Sequence, residues 1–215
     1  MVQISDIVGI LKKECRKFSN PVVTEVSKEK SPFKVLISCL LSLRTKDAVT
    51  AVASRKLFEV ADTPEKLSRL NVNIIEKLIY PVGFYHTKAK RIKDISKVLV
   101  EEYNSKVPDS IDELLKLHGV GRKTANLVVG LGYGIPSICV DTHVHRLSNR
   151  FGLVKTKNPH ETEFALRKLL PEKNWIEIND YLVSYGQNIC VPVSPWCSKC
   201  KLSKYCKRID VKISR

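Results

Sequence analysis

Four cysteines stand close together near the end of the chain, Cys190, Cys197, Cys200 and Cys206, in the pattern C-x6-C-x2-C-x5-C. Thiolates are soft ligands, and four in so short a segment can enclose one metal centre. From spacing alone, zinc and an iron–sulfur cluster are both open, although zinc ribbons more often use two CxxC pairs separated by a longer loop. A second group of residues suits phosphate. In LHGVGRKTAN, residues 117–126, Gly119 and Gly121 permit positive φ and close backbone approach. Successive N–H groups backed by a helix N-terminus form an anion site. An ordinary tight turn between helices is the competing reading of this Gly-x-Gly. The adjacent Arg122 and Lys123 and the chain's net charge of +15 favour the phosphate.

Arg122 and Lys123 stand where a helix carries partial positive charge, a placement that local preference opposes. Arg122 suits a phosphate contact. Lys123 can do the same, but its ammonium form is disfavoured in that position, and the neutral amine is a nucleophile. Asp141 precedes Thr142-His143-Val144-His145-Arg146 and is a natural N-cap. Capping also holds a carboxylate ionised and rigid, which suits a group that faces developing positive charge.

These residues need a scaffold. The 215 residues are enough for one large domain or two small ones, with an ordinary globular share of hydrophobic (43%) and charged (27%) residues. The basic excess points to a polyanion, nucleic acid before an anionic membrane surface, with a solvated basic surface as the alternative. No apolar run approaches a membrane span, and MVQISDIVGILKKECRKF lacks a secretory apolar region. The expectation is a cytoplasmic, nucleoid-associated protein of prokaryotic type in a reducing compartment, its seven cysteines not paired as disulfides. Cys15, Cys39 and Cys139 lie among apolar neighbours and are expected in the core.

The elements read as helices throughout. Ile4, Ile7, Val8, Leu11 and Cys15 form an apolar stripe. Ser31–Pro32 opens a helix to about Leu43, Thr45 caps another to about Val60, and Thr63–Pro64 repeats the cap-and-proline signal. A short helix follows at Asn73–Ile79, a long one at His86–Tyr103 and a short one from Ser110 to Leu117. Gly121–Leu131 is helical until Gly132 and Gly134 break it. Asp141 opens the next helix, Asn158–Glu161 has capping-box spacing, and Asn174–Gln187 is the last helix. No period-two strand pair appears, so the fold class is all-α.

GVGRKTAN followed by VDTHVHR, with Gly134, Pro136 and Asp141 in order, resembles the endonuclease III family of DNA glycosylases, which carry a helix-hairpin-helix and a Gly-Pro-Asp region. The likeness extends to PFKVLISCLLS and VGFYHTKAKRI. It implies two lobes: a helical barrel with the hairpin over residues 25–134, and a cluster domain formed by 1–24 with 135–215. Lys123 and Asp141 would face each other across the cleft between them. Lys123 would attack the sugar C1′ and Asp141 would assist departure of the base. The activity implied is that of a bifunctional DNA glycosylase and AP lyase of base excision repair, acting as a monomer on duplex DNA that carries oxidised pyrimidines or abasic sites. A [4Fe–4S] cluster held by Cys190, Cys197, Cys200 and Cys206 comes with the resemblance. So do DNA contacts at Gly119, Gly121, Arg122 and His143. Arg44 stands where many relatives have glutamine and would meet the orphaned base, with Val82 and Phe84 as an apolar wedge or, equally, as core. The segment 191–196 lacks the basic residues that relatives use for DNA contact, which Lys199, Lys201, Lys204, Lys207 and Arg208 would supply instead. Two rivals remain, a mismatch or adenine glycosylase without lyase activity and a non-catalytic DNA-binding module. Lys123 speaks against the first, and Lys123 with Asp141 against the second.

Overall fold

The computed structural model describes residues 4–18 and 20–215; their regular elements are helices, with no strand among the described residues. The all-α expectation holds. The chain divides into two compact units, Val22–Ile135 and a second that joins the N-terminal segment through Pro21 to Pro136–Arg215. No helix of the described residues is long and apolar enough to cross a membrane.

In the 22–135 unit, α2 (Val22–Ser27) leads into α3 (Pro32–Ser42), whose N-cap Ser31 accepts a hydrogen bond from the Lys34 amide. Helix α3 is apolar on nearly every face, and Val35, Leu36, Ile37, Cys39, Leu40 and Leu41 are all buried. A helix of that kind must be central, and α4 (Asp47–Val60), α7 (Tyr85–Glu102) and α9 (Arg122–Leu127) pack on it. Its Ser38 hydroxyl is satisfied inside the core by Ser54 at 3.2 Å. The short helices α5 (Pro64–Arg69), α6 (Val72–Ile79) and α8 (Ile111–Lys116) are capped by Thr63, Asn71 and Ser110. After α9 the backbone widens into a π-turn at Val128–Gly132. There a Cβ on Gly132 would lie 3.2 Å from Pro32, so glycine allows the close approach to α3.

Two local expectations need correction. Helix α2 is missing from the sequence reading, because Val22-Val23-Thr24 is β-branched and carries no clear start signal. Thr45 does not cap α4. The N-cap is Lys46, which makes no side-chain cap, and the Thr45 hydroxyl instead donates to Leu43 O at 3.2 Å.

The second unit contains α1 (Ile4–Cys15), α10 (Thr142–Phe151), α11 (Pro159–Leu169) and α12 (Trp175–Asn188). The α1 stripe of Ile7, Val8, Leu11 and Cys15 is buried with Val144, Leu147, Leu182 and Tyr185. Asn158 caps α11 through the Glu161 amide at 2.9 Å, and Glu161 reaches back to the Lys157 amide at 2.8 Å. Cys15, Cys39 and Cys139 are all buried, as expected.

Candidate active site, DNA-binding hairpin and cysteine loop

The hairpin between α8 and α9 is anchored by Leu117 and Val120, both in the core. Val120 N donates to Leu117 O at 3.0 Å and closes the turn. Gly119 sits at φ +83, where a side chain is strained, and a Cβ there would lie 2.3 Å from Arg91 Nε. Gly121 is the N-cap of α9, at φ −96. It has no side chain to cap the first turn, so its position leaves the outer face of the turn open. Lys123, in that first turn, is exposed. Burial pushes the Cys39 thiol of α3 up to about 12, opposed by the positive charge of nearby Lys123. The lysine thus stands over the α3 core with its side chain reachable from solvent.

A second feature of this unit is built from two turns. Arg44 and Phe84 are both left-handed, at φ 51 and φ 59, and the Arg44 guanidinium lies 6.0 Å from the Phe84 ring. Phe84 is 64% exposed, whereas Val82 is 1% exposed and packs into the core beneath the turn. The two turns touch closely, since a Cβ on Gly83 would lie 2.7 Å from Arg44 O. Gly83 N donates to Thr45 Oγ1 at 3.2 Å. Beneath them is Lys88, a residue the sequence reading did not single out. It is 5% exposed. Its Nζ donates to Leu41 O at 2.8 Å, Leu43 O at 2.5 Å and Thr45 Oγ1 at 3.1 Å. Burial, with the Arg91 charge second, brings its ammonium down to about 8. The only local signal for it is a lysine in the first turn of a helix, where cations are disfavoured.

In the second unit, Asp141 caps α10 by accepting from the Val144 amide at 2.8 Å. His143 Nδ1 takes a bond from Arg146 Nη2 at 3.1 Å, and that nitrogen also donates to Gly186 O and Cys190 O. A Cβ on Gly186 would lie 2.7 Å from His143 Nδ1, so glycine lets α12 approach α10 here.

Arg146 and the buried Arg150 of α10 both reach the start of the cysteine loop. Arg150 donates to Cys190 Sγ at 3.6 Å, to Val191 O at 2.8 Å and to Pro192 O at 2.6 Å. The Tyr185 hydroxyl donates to Cys200 Sγ at 3.2 Å, and Arg208 N to Cys206 Sγ at 3.3 Å. Burial pushes the Cys190 and Cys206 thiols up, and the charges of Cys200, Cys190 and Cys197 add to the effect at Cys206. The four sulfurs therefore share one electrostatic neighbourhood. Donors aimed at sulfur suit thiolates, as in a ligated cluster. Among the described residues, no three His, Cys, Asp or Glu side chains are gathered closely enough to hold a single ion. Of the basic residues expected near this loop, Lys199 stacks on Trp196 at 4.3 Å; Arg215, which is not among them, stacks on the same ring at 4.0 Å. Lys207 instead packs against Gly152.

Comparison with known proteins gives these features a family. Residues 37–172 match the HhH-GPD superfamily base excision DNA repair protein family. Endonuclease III of Thermotoga maritima is 53% identical over 180 residues, covering 84% of each chain. Endonuclease III homolog 1, chloroplastic, of Arabidopsis thaliana is 43% identical over 81% of this chain, which spans about half (48%) of that longer relative. Among solved structures, a non-covalent endonuclease III–DNA complex superposes with TM-score 0.86 at 33% identity, covering 97% of each chain. A trapped endonuclease III–DNA covalent intermediate, an estranged-adenine complex, superposes with TM-score 0.78 at 37% identity, covering 83% of this chain and 84% of that one. The chain belongs to the HhH-GPD superfamily of base excision DNA repair proteins and, within it, to the endonuclease III family of DNA glycosylases and AP lyases.

Proposed function

We propose that this bifunctional glycosylase and AP lyase of base excision repair acts on oxidised pyrimidines and abasic sites in duplex DNA, with Lys123 as nucleophile and Asp141 assisting departure of the base. The observation that carries this reading is the exposed Lys123, set in the first turn of α9 directly behind the glycine hairpin. The hairpin amides at Gly119 and Gly121, with Arg122, hold DNA backbone, and His143 adds a contact from α10. The target nucleotide leaves the stack, because C1′ is inaccessible within it. Lys123 Nζ bonds to C1′ as the glycosidic C–N bond breaks, and the base leaves with a proton. The sugar ring opens to a Schiff base. Loss of a C2′ proton then expels the 3′ phosphate and cuts the strand, and water releases the lysine.

Phe84 is the wedge in this scheme, with Val82 supporting it from the core, and Arg44 meets the orphaned base. Arginine offers only donors, and guanine presents two acceptors to such a fork. Lesions opposite guanine are therefore the preferred substrates. Cys190, Cys197, Cys200 and Cys206 would hold a [4Fe–4S] cluster. This is supported by the donors aimed at their sulfurs. Through these four cysteines residues 190–206 would be tied together, and the excision would ask no electron of the cluster. Lys199 and Arg215, stacked on Trp196, bring positive charge to that loop. The place of action is chromosomal DNA in the cytoplasm, as a monomer.

The test is incubation with duplexes carrying thymine glycol or an abasic site, each opposite guanine and adenine, and with a duplex carrying thymine mismatched against guanine. Thymine glycol and abasic strands should be cut to a β-elimination product, faster opposite guanine. Removal of mismatched thymine without strand cutting, and no action on thymine glycol, would overturn the reading in favour of a monofunctional mismatch glycosylase.

A further inference from the structure

Helix α3 ends at Ser42, and the chain must then turn towards α4. The last carbonyls of a helix have no intrahelical partner, and burying them bare is costly. Here Leu41 O and Leu43 O are met by Lys88 Nζ, which reaches from α7 and also bonds Thr45 Oγ1. An ammonium has three donors and no acceptor, and all three are used on the segment that contains Arg44. A cation there also complements the negative end of α3. The same Thr45 hydroxyl accepts from Gly83 N, which ties the 81–84 turn to the 43–45 turn.

The turns so joined each hold a non-glycine residue in the left-handed region, Arg44 and Phe84. Each such residue costs on the order of 1 kcal/mol or more and persists only where its surroundings over-determine it. A buried lysine is an expensive way to fill space, since an apolar side chain would do that alone. Its value lies in fixing the two turns in one arrangement, with guanidinium and ring side by side and the ring exposed.

We infer that Lys88 is a positioning residue for base extrusion: it locks the 43–45 and 81–84 turns together and so presents Arg44 and Phe84 to the duplex as a preformed pair. It touches neither the substrate nor the reacting atoms. The inference rests on the reading above in which Arg44 and Phe84 enter the space left by the flipped nucleotide.

The test uses the full, cluster-loaded chain and two substrates. One is a duplex with thymine glycol, which must be opened. The other is a single strand with an abasic site, which offers no duplex to unstack. Lys88→Met keeps the aliphatic bulk and should lower the ratio of duplex excision to single-strand cutting about tenfold, the scale of a small misplacement of interacting groups. Thr45→Val, which removes one acceptor of Lys88 and the partner of Gly83 N, should shift the same ratio in the same direction by less. Retention of the wild-type ratio by Lys88→Met would overturn the inference. An equal fall in both rates would overturn it too, since that is what a merely structural lysine would give. Phe84→Ala separates the two claims. If it lowers the ratio while Lys88→Met does not, only the role of Lys88 fails. If it leaves the ratio unchanged, the pair itself was misread.

Discussion

Gly119 and Gly121 stand two residues apart in one turn, yet the fold requires glycine only at Gly119, while Gly121 has room for a side chain. Gly119 is at φ +83, and a Cβ would lie 2.3, 2.5 and 2.7 Å from Nε, Cδ and Cζ of Arg91. Alanine there accepts a left-handed backbone at about 1–2 kcal/mol. It also displaces the end of a flexible side chain, which adds about 1 kcal/mol if Arg91 moves off its rotamer. The expected loss for Gly119→Ala is therefore about 1–3 kcal/mol of stability. Gly121 is at φ −96, and a Cβ would meet nothing within 4 Å. Serine is at least as good an N-cap as glycine, so Gly121→Ser should change stability by only a few tenths of a kcal/mol. Its side chain, however, would fill the open face that the proposed function assigns to a phosphate. Loss of one hydrogen bond to a charged group costs about 1.5–3 kcal/mol, or roughly tenfold or more in Kd. Urea unfolding followed by circular dichroism reads the stability. Fluorescence anisotropy with a duplex carrying an uncleavable abasic analogue, at fixed salt, reads the binding. The two effects should separate: stability lost at Gly119, affinity lost at Gly121. Wild-type affinity in Gly121→Ser would remove this turn from the DNA interface, and an undiminished stability in Gly119→Ala would refute the strain argument.

Asp141→Asn should keep the α10 cap, because asparagine caps as well as aspartate, while slowing single-turnover base release by ~10²-fold; an unchanged rate would leave Asp141 as a cap only. Purified protein should be yellow-brown with about four irons per chain, and a colourless, active protein with one zinc would contradict the cluster. Burial lowers Lys88 from 10.5 to about 8. The unfolded chain thus binds more protons than the native state between those pH values, and stability rises with pH there. The difference in unfolding free energy between wild type and Lys88→Met should therefore grow in favour of wild type from pH 8 to 10.5, and parallel curves would show that Lys88 is not buried as described.

The parts of the fold legible in the sequence were those set by near neighbours. Ser31, Thr63, Ser110, Asp141 and Asn158 each cap a helix through an amide three residues on, and that spacing is visible in any sequence. Thr45 has the same residue type and failed as a cap, because its partners Gly83 and Lys88 lie 38 and 43 residues away. Lys88 looks like a solvated cation until the α3 C-terminus is brought to it. Val82 and Phe84 are two residues apart and equally apolar, but only the tertiary path shows that one is core and the other exposed. The hairpin and the cysteine loop were legible as motifs. The hydrogen bonds that Arg150, Tyr185 and Arg208 make to the sulfurs were not, since Arg150 lies 40 residues from Cys190.

The proposed mechanism requires the Lys123 amine to form the covalent link to the sugar. Borohydride reduction during incubation with an abasic duplex, followed by digestion and mass spectrometry of the linked peptide, tests it directly. The adduct should map to Lys123. Lys123→Gln should give no adduct while still binding a duplex with an uncleavable abasic analogue. An adduct on another residue, or undiminished trapping by Lys123→Gln, would exclude Lys123 as the nucleophile.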